Sequence, residues 1–148
     1  MLTLTRTISE NADFQLLVRQ LDQYLAEIDG AEHGFYAQFN KIDLIRHAVI
    51  AYADGVPVGC GAFKEFELGV VEIKRMYVAP THRRQGVAQA VLAEVERWAA
   101  ELGYPACVLE TGRRQPEAIA LYERCGYGRT PNYGQYVGLE NSVCLRKG

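Results

Sequence analysis

Nowhere in the 148 residues do about eighteen apolar residues run together, so the sequence offers no membrane-spanning helix. The opening MLTLTRTISENADF has no long apolar stretch and soon turns acidic, which predicts that no signal peptide is present. Cysteine is sparse and scattered. Cys60, Cys107, Cys125 and Cys144 form no Cys-x-x-Cys pair, and His33, His47 and His82 are the whole histidine complement. This argues against a disulfide framework and a zinc site, and predicts free thiols in a reducing cytoplasm with no metal. An excess of one charge is missing too: the net charge is −2 and the pI about 5.9. The global balance therefore gives no reason to expect nucleic acid or an anionic membrane as partner, and any phosphate binding must be local. Repeats, linkers and low-complexity tracts are also absent.

With 49% hydrophobic and 23% charged residues, the composition is that of one folded domain covering residues 1–148. Leu2 to Thr7 alternates as a first strand, and Ser9-Glu10-Asn11 marks the start of a helix running to about Ile28. Phe14, Leu17, Val18, Leu21, Leu25 and Ile28 recur at three- and four-residue steps, predicting one apolar stripe that packs on a sheet and ends at Gly30. Ala31 to Arg46 carries a mixed signal and reads as a loop with a short helix, a candidate lid or acceptor-side wall. His47 to Ala53 and Val56 to Glu65 flank Asp54-Gly55, a hairpin signature, and Gly69 to Val78 extends the antiparallel meander.

Within that third run, VVEIKRMYV, the apolar parity changes. Val71 and Ile73 lie on one alternation, Met76 and Val78 on the other, so one extra residue near Lys74 and Arg75 is needed to keep a single buried face. The prediction is a β-bulge, with peptide groups left unpaired beside it. Ala79-Pro80 ends the strand, and HRRQGVAQA leads into a helix from about Gly86 to Leu102, with Val87, Val91, Val95, Trp98 and Leu102 on its apolar face. YPACVLET reads as a buried strand, Gln115 to Cys125 as a short helix opened by Pro116, and Tyr127–Arg129 and Ser142–Arg146 as final strands. The strand–helix–strand crossover makes one pair parallel.

A helix opening on glycine rather than on a capping side chain leaves its first N–H groups and the positive end of its dipole to an anion. Gly86 lets the backbone come close, Ala88 is small, and Arg83 and Arg84 can add charge-assisted hydrogen bonds. The lysine and Ser/Thr of a Walker loop and the three-glycine dinucleotide fingerprint are both missing, which argues against an NTPase or a Rossmann oxidoreductase.

Arg83-x-x-Gly86-x-Ala88 after RMYVAP, followed by EAIALYERCGY, resembles the GNAT N-acetyltransferase family over roughly Val56 to Gly128. The resemblance implies an α/β (α+β) fold: a mixed central sheet, antiparallel meander then parallel crossover, splayed at a bulge, with helices on both faces. It implies an acetyl-CoA-dependent N-acetyltransferase acting on a primary amine of a small molecule, amino acid, peptide or protein, in a cytoplasmic protein that is often dimeric in this family. The backbone amides of Arg84, Gln85, Gly86, Val87 and Ala88 would bind the pyrophosphate of coenzyme A, with Arg83 beside them. Met76 and Val78, with Tyr77 between them, would meet the pantetheine arm, and Gln115 stands where relatives often carry a coenzyme-contacting asparagine.

Acetyl transfer needs a neutral amine, a stabilised oxyanion and a protonated leaving thiol. Reference pKa values of about 10.4 for the amine and about 8.5 for the thiol make a base and an acid useful near neutrality. Tyr122 occupies the family's acid position. Glu72 is either the base or an ion-paired strand carboxylate beside Lys74 or Arg75, and the Met76 amide is the candidate oxyanion donor. No cysteine has a convincing base beside it, so direct attack in a ternary complex is expected. Tyr133, Tyr136, Phe35 and Tyr36 either line an acceptor cavity or pack as loop aromatics. The histidines read as structural and Arg113-Arg114 as an exposed turn. A non-catalytic module sensing coenzyme A is the alternative.

Overall fold

The computed structural model describes residues 1–29 and 45–148. The expected Gly30 helix stop and the expected loop, with Phe35 and Tyr36, lie outside the described residues. Seven strands form one sheet in the order β1-β2-β3-β4-β5-β7-β6: β1 (Leu2–Thr7), β2 (His47–Ala53), β3 (Val56–Glu67), β4 (Val70–Val78), β5 (Ala106–Gly112), β6 (Gly128–Thr130) and β7 (Ser142–Lys147). Every pairing is antiparallel except β4 with β5. Among the described residues the α-helices are α1 (Ala12–Asp29), α2 (Val87–Glu101) and α3 (Pro116–Arg124).

Asn11 starts α1 by accepting hydrogen bonds at Oδ1 from the N–H groups of Asp13 (2.8 Å) and Phe14 (3.2 Å). Phe14, Leu17, Val18 and Leu21 then bury against Ala48, Ile50, Cys60 and Ala62 on one face of the sheet. At roughly 1.5–3 kcal/mol for each large side chain buried, this stripe dominates the docking of α1. The opposite face holds the larger core, where Val87, Val91, Leu92 and Val95 of α2 and Tyr122 of α3 meet Val49, Phe63, Val71, Ile73 and Leu109. Helices therefore cover both faces, as expected.

The predicted boundaries hold to within a residue or two, with one packing difference. Leu102, placed by periodicity on the apolar face of α2, caps its end and is 47% exposed; Ala99 and Leu92 are buried instead. Tyr127, assigned to a strand, precedes β6 and is buried in the core. Asp54 (φ 50°) and Gly55 (φ 83°) make the left-handed pair that the hairpin turn requires.

Candidate active site

The bulge falls where the parity break put it. Cys60 pairs with Tyr77 and Ala62 with Lys74, so Arg75 and Met76 together oppose Gly61 alone, and Arg75 is left-handed at φ 62°. Gly61 is required there: a Cβ would lie 2.5 Å from Met76 Sδ and 2.9 Å from Val91 Cγ1. The bulge turns β4 away from β5. Their parallel pairing covers only Val70–Ile73 and Ala106–Leu109, and from Lys74 onward no described strand pairs with β4 on that side.

A cavity of about 130 Å³ opens where the strands part. Tyr122, Ala118 and Gln115 reach it from α3 and the turn before it, Leu21 and Leu25 from α1, and Tyr136 and Asn141 from the segment between β6 and β7. Glu72, Lys74, Arg75 and Met76 line it from β4, and Glu110, Thr111 and Gly112 from β5. Tyr122 is 7% exposed and packs edge to face with Tyr127 at 6.0 Å. Burial, with smaller contributions from Cys125 and Glu110, pushes its phenol above the ordinary tyrosine range. Its proton therefore stays on at neutral pH, as a proton donor needs.

Glu72 is 4% exposed, accepts a hydrogen bond from Tyr133 Oη at 2.9 Å and lies 3.7 Å from Lys74 Nζ. Burial lowers the Lys74 pKa, and Glu72 partly offsets that. Both sequence alternatives for Glu72 are thus compatible with its place: it is ion-paired, and it lines the cavity. Tyr133 and Tyr136 divide their roles. Tyr136 lines the cavity, while Tyr133 braces Glu72 and packs on Phe66 (4.8 Å) and Tyr136 (5.6 Å). Asn132 Nδ2 fixes this segment by donating to the carbonyls of Tyr136, Leu139 and Ser142 at 3.1–3.2 Å.

At the start of α2, Gly86 is the N-cap in the left-handed conformation (φ 80°), with no side chain bonded to the cap. A Cβ on it would meet nothing nearer than Gln89 Oε1 at 4.0 Å, so the approach is open. Arg84 is also left-handed (φ 64°), so positive φ values flank Gln85 on both sides. The side chains are more engaged than expected. Arg83 Nε donates to Val78 O at 3.0 Å and the guanidinium stacks over Tyr24 at 4.8 Å; Arg84 makes an exposed 3.5 Å pair with Glu117; and Gln85 donates to Thr81 O at 3.4 Å. Val87 is buried and Ala88 half-buried, which leaves their backbone as the part that can meet a ligand.

The sequence model of the acetyltransferase (GNAT) family matches residues 14–127. The chain belongs to this family. An IAA acetyltransferase of Azospirillum brasilense is 35% identical over 135 residues, covering 88% of this chain and 87% of that protein. A crystal structure assigned as an acyl-CoA N-acyltransferase from Klebsiella pneumoniae superposes with a TM-score of 0.83 at 32% identity, covering 99% and 97% of the two chains. An N-acetyltransferase of Thermoplasma acidophilum, solved in complex with coenzyme A, shares the fold at 16% identity, with a TM-score of 0.72 and 99% and 98% coverage. This GNAT protein is accordingly an acetyl-CoA-dependent N-acetyltransferase.

The acetyltransferase's own residues fit that coenzyme. The open, uncapped start of α2 suits a diphosphate, and from Lys74 onward the β4 edge, which β5 leaves uncovered, suits an extended amide-bearing arm. Sequence reasoning missed Glu110 and Arg75 as lining residues. The signal for Glu110 was a charge at the end of the buried run ACVLE; that for Arg75 was a charge inside a strand buried on both faces. His47 stacks on Phe63 at 4.8 Å and meets Trp98 edge-on at 4.9 Å, a structural role, and Arg113 and Arg114 are exposed. All four cysteines are free, and among the described residues no cluster of metal-ligating side chains occurs and no helix is long and apolar enough to cross a membrane.

Proposed function

We propose that this GNAT enzyme acetylates a primary amine by direct attack within a ternary complex in the opening between β4 and β5. The coenzyme supplies an acyl thioester; the protein supplies position and protons. The backbone amides from Arg84 to Ala88 hold the pyrophosphate, with Arg83 adding charge, and the peptide groups of Met76 and Val78, either side of Tyr77, hold the arm. Gln115, at the N-cap of α3 and on the cavity wall, contacts the arm as well in this reading.

Glu72 takes the proton from the incoming ammonium, directly or through water, and the Met76 N–H stabilises the oxygen on which charge develops. Tyr122 gives its proton to the departing sulfur and recovers one from solvent. The observation that carries this reading is the placement of Tyr122 and Glu72 on one cavity, at the point where the bulge parts two parallel strands.

The test is calorimetric titration with acetyl-CoA and coenzyme A, followed by an amine screen with product detection. Saturable binding and N-acetylated product are expected. Binding without transfer to any amine would overturn the catalytic part, and no binding would overturn the whole.

A further inference from the structure

Arg75 is a costly residue to bury in the site. It is 7% exposed, in the middle of the sheet, and its backbone is left-handed. Glycine holds that conformation freely, whereas a residue with a Cβ loses on the order of 1 kcal/mol. A buried guanidinium adds a desolvation cost that is offset only when its N–H groups are matched. Here the matching is incomplete: Nη1 donates to Asp22 Oδ1 on α1 at 3.2 Å, Asp22 is 50% exposed, and Nε has no partner.

The surroundings say what would complete it. Arg75 lines the same cavity as Glu72 and Glu110, and Lys74 already faces Glu72. An ammonium entering the cavity finds carboxylates on β4 and β5, while an anionic group finds Arg75. A carboxylate matches the planar guanidinium fork, two oxygens against two N–H donors.

From this arrangement, and resting on the acceptor side of the reaction proposed above, we infer that the acceptor amine also carries a carboxylate. The class is that of free amino acids and related amino carboxylates. The carboxylate pairs with Arg75, completing its Nε, and the amino group lies toward Glu72. Arg75 is then a specificity residue that touches the acceptor.

The experiment compares transfer from acetyl-CoA to free amino acids, to their carboxamides and to the corresponding decarboxylated amines, with acetyl-CoA binding measured by calorimetry alongside. The acid form of the best acceptor should exceed its carboxamide by about tenfold or more in kcat/KM, chiefly through KM, because the carboxamide leaves a buried donor poorly matched. Arg75→Gln should bring that ratio close to unity, and Arg75→Lys, which keeps charge without the fork, should keep only part of it.

Equal rates for acid and carboxamide would overturn the inference, as would transfer only to amines without a carboxylate, or an acid preference that survives both substitutions. The wild-type ratio decides the matter even when a variant does not fold. Acetyl-CoA binding without transfer to any of these compounds also overturns the acceptor class. Failure to bind acetyl-CoA would instead defeat the proposed function, and this inference with it.

Discussion

Tyr133 Oη donates a hydrogen bond to Glu72 Oε2 at 2.9 Å across 61 residues of sequence, tying the segment after β6 to the middle of β4. That hydrogen bond holds the Glu72 carboxylate in one position, so Tyr133→Phe should lower kcat/KM. Loss of a hydrogen bond to a charged group also costs stability, about 1.5–3 kcal/mol. Glu72→Gln should remove the acidic limb of kcat/KM that a general base produces. A pH–rate profile of each variant checks both, and an unaltered profile in Glu72→Gln would return Glu72 to an ion-pairing role.

Tyr122→Phe keeps the ring packed against Tyr127 and removes only the hydroxyl. Turnover should fall about 10²–10⁴-fold, the usual worth of a positioned acid, with acetyl-CoA affinity preserved. The sign of the pH effect follows from the raised phenol pKa. The protonated form is the active one, so activity should be lost only as pH rises beyond the ordinary tyrosine value of about 10. Single-turnover rates and calorimetry on the same samples separate chemistry from binding.

At Gly86 conformation and charge can be tested apart. Space is available for a Cβ, but the φ of 80° is unfavourable for any other residue, so Gly86→Ala should cost about 1 kcal/mol of stability and weaken the coenzyme modestly. Gly86→Glu adds a negative charge where the pyrophosphate docks and should abolish measurable binding. Wild-type affinity in Gly86→Glu would remove the diphosphate from the start of α2.

Gly61→Ala tests the opposite case, a lack of space. Its Cβ would collide with Met76 Sδ and Val91 Cγ1, and overpacking of this kind costs about 1–3 kcal/mol. Because Met76 sits in the bulge, displacement there should lower kcat beyond what the stability loss explains. Thermal melts compared with rates below the melting range read out the two effects.

His47 couples pH to stability. Burial against Phe63 and Trp98, and to a lesser extent Arg46, lowers its pKa in the folded protein. The unfolded chain then takes up the proton more readily, so stability is full above about pH 6.5 and falls as pH drops through the lowered folded value. Tm should decline over that window, and His47→Phe should flatten the decline.

Much of the fold was legible locally. The Phe14–Leu17–Val18–Leu21 stripe, the Asp54-Gly55 turn and the Gly86 helix start each express their geometry within a few residues, through periodicity or through a φ that few residues accept. The bulge was legible for a similar reason: burial on one face cannot tolerate a change of parity between Ile73 and Met76 without an inserted residue. Leu102 was misplaced because a periodic pattern does not state where the sheet stops supporting a helix.

The sequence by itself therefore determined the elements, the site of the bulge, the uncapped start of α2 and, through the motif around Arg83 and Gly86, the family. Only the tertiary structure decided what those elements enclose. It brought Glu110 and Glu72 onto one cavity, set Tyr133 as the brace of Glu72, occupied Arg83 with Val78 and left Arg75 Nε without a partner. These are contacts between residues on different elements, set by strand order and crossover. A charge buried in a strand looks the same in sequence whether its partner is another side chain or a substrate; burial and the count of its hydrogen bonds separate the two.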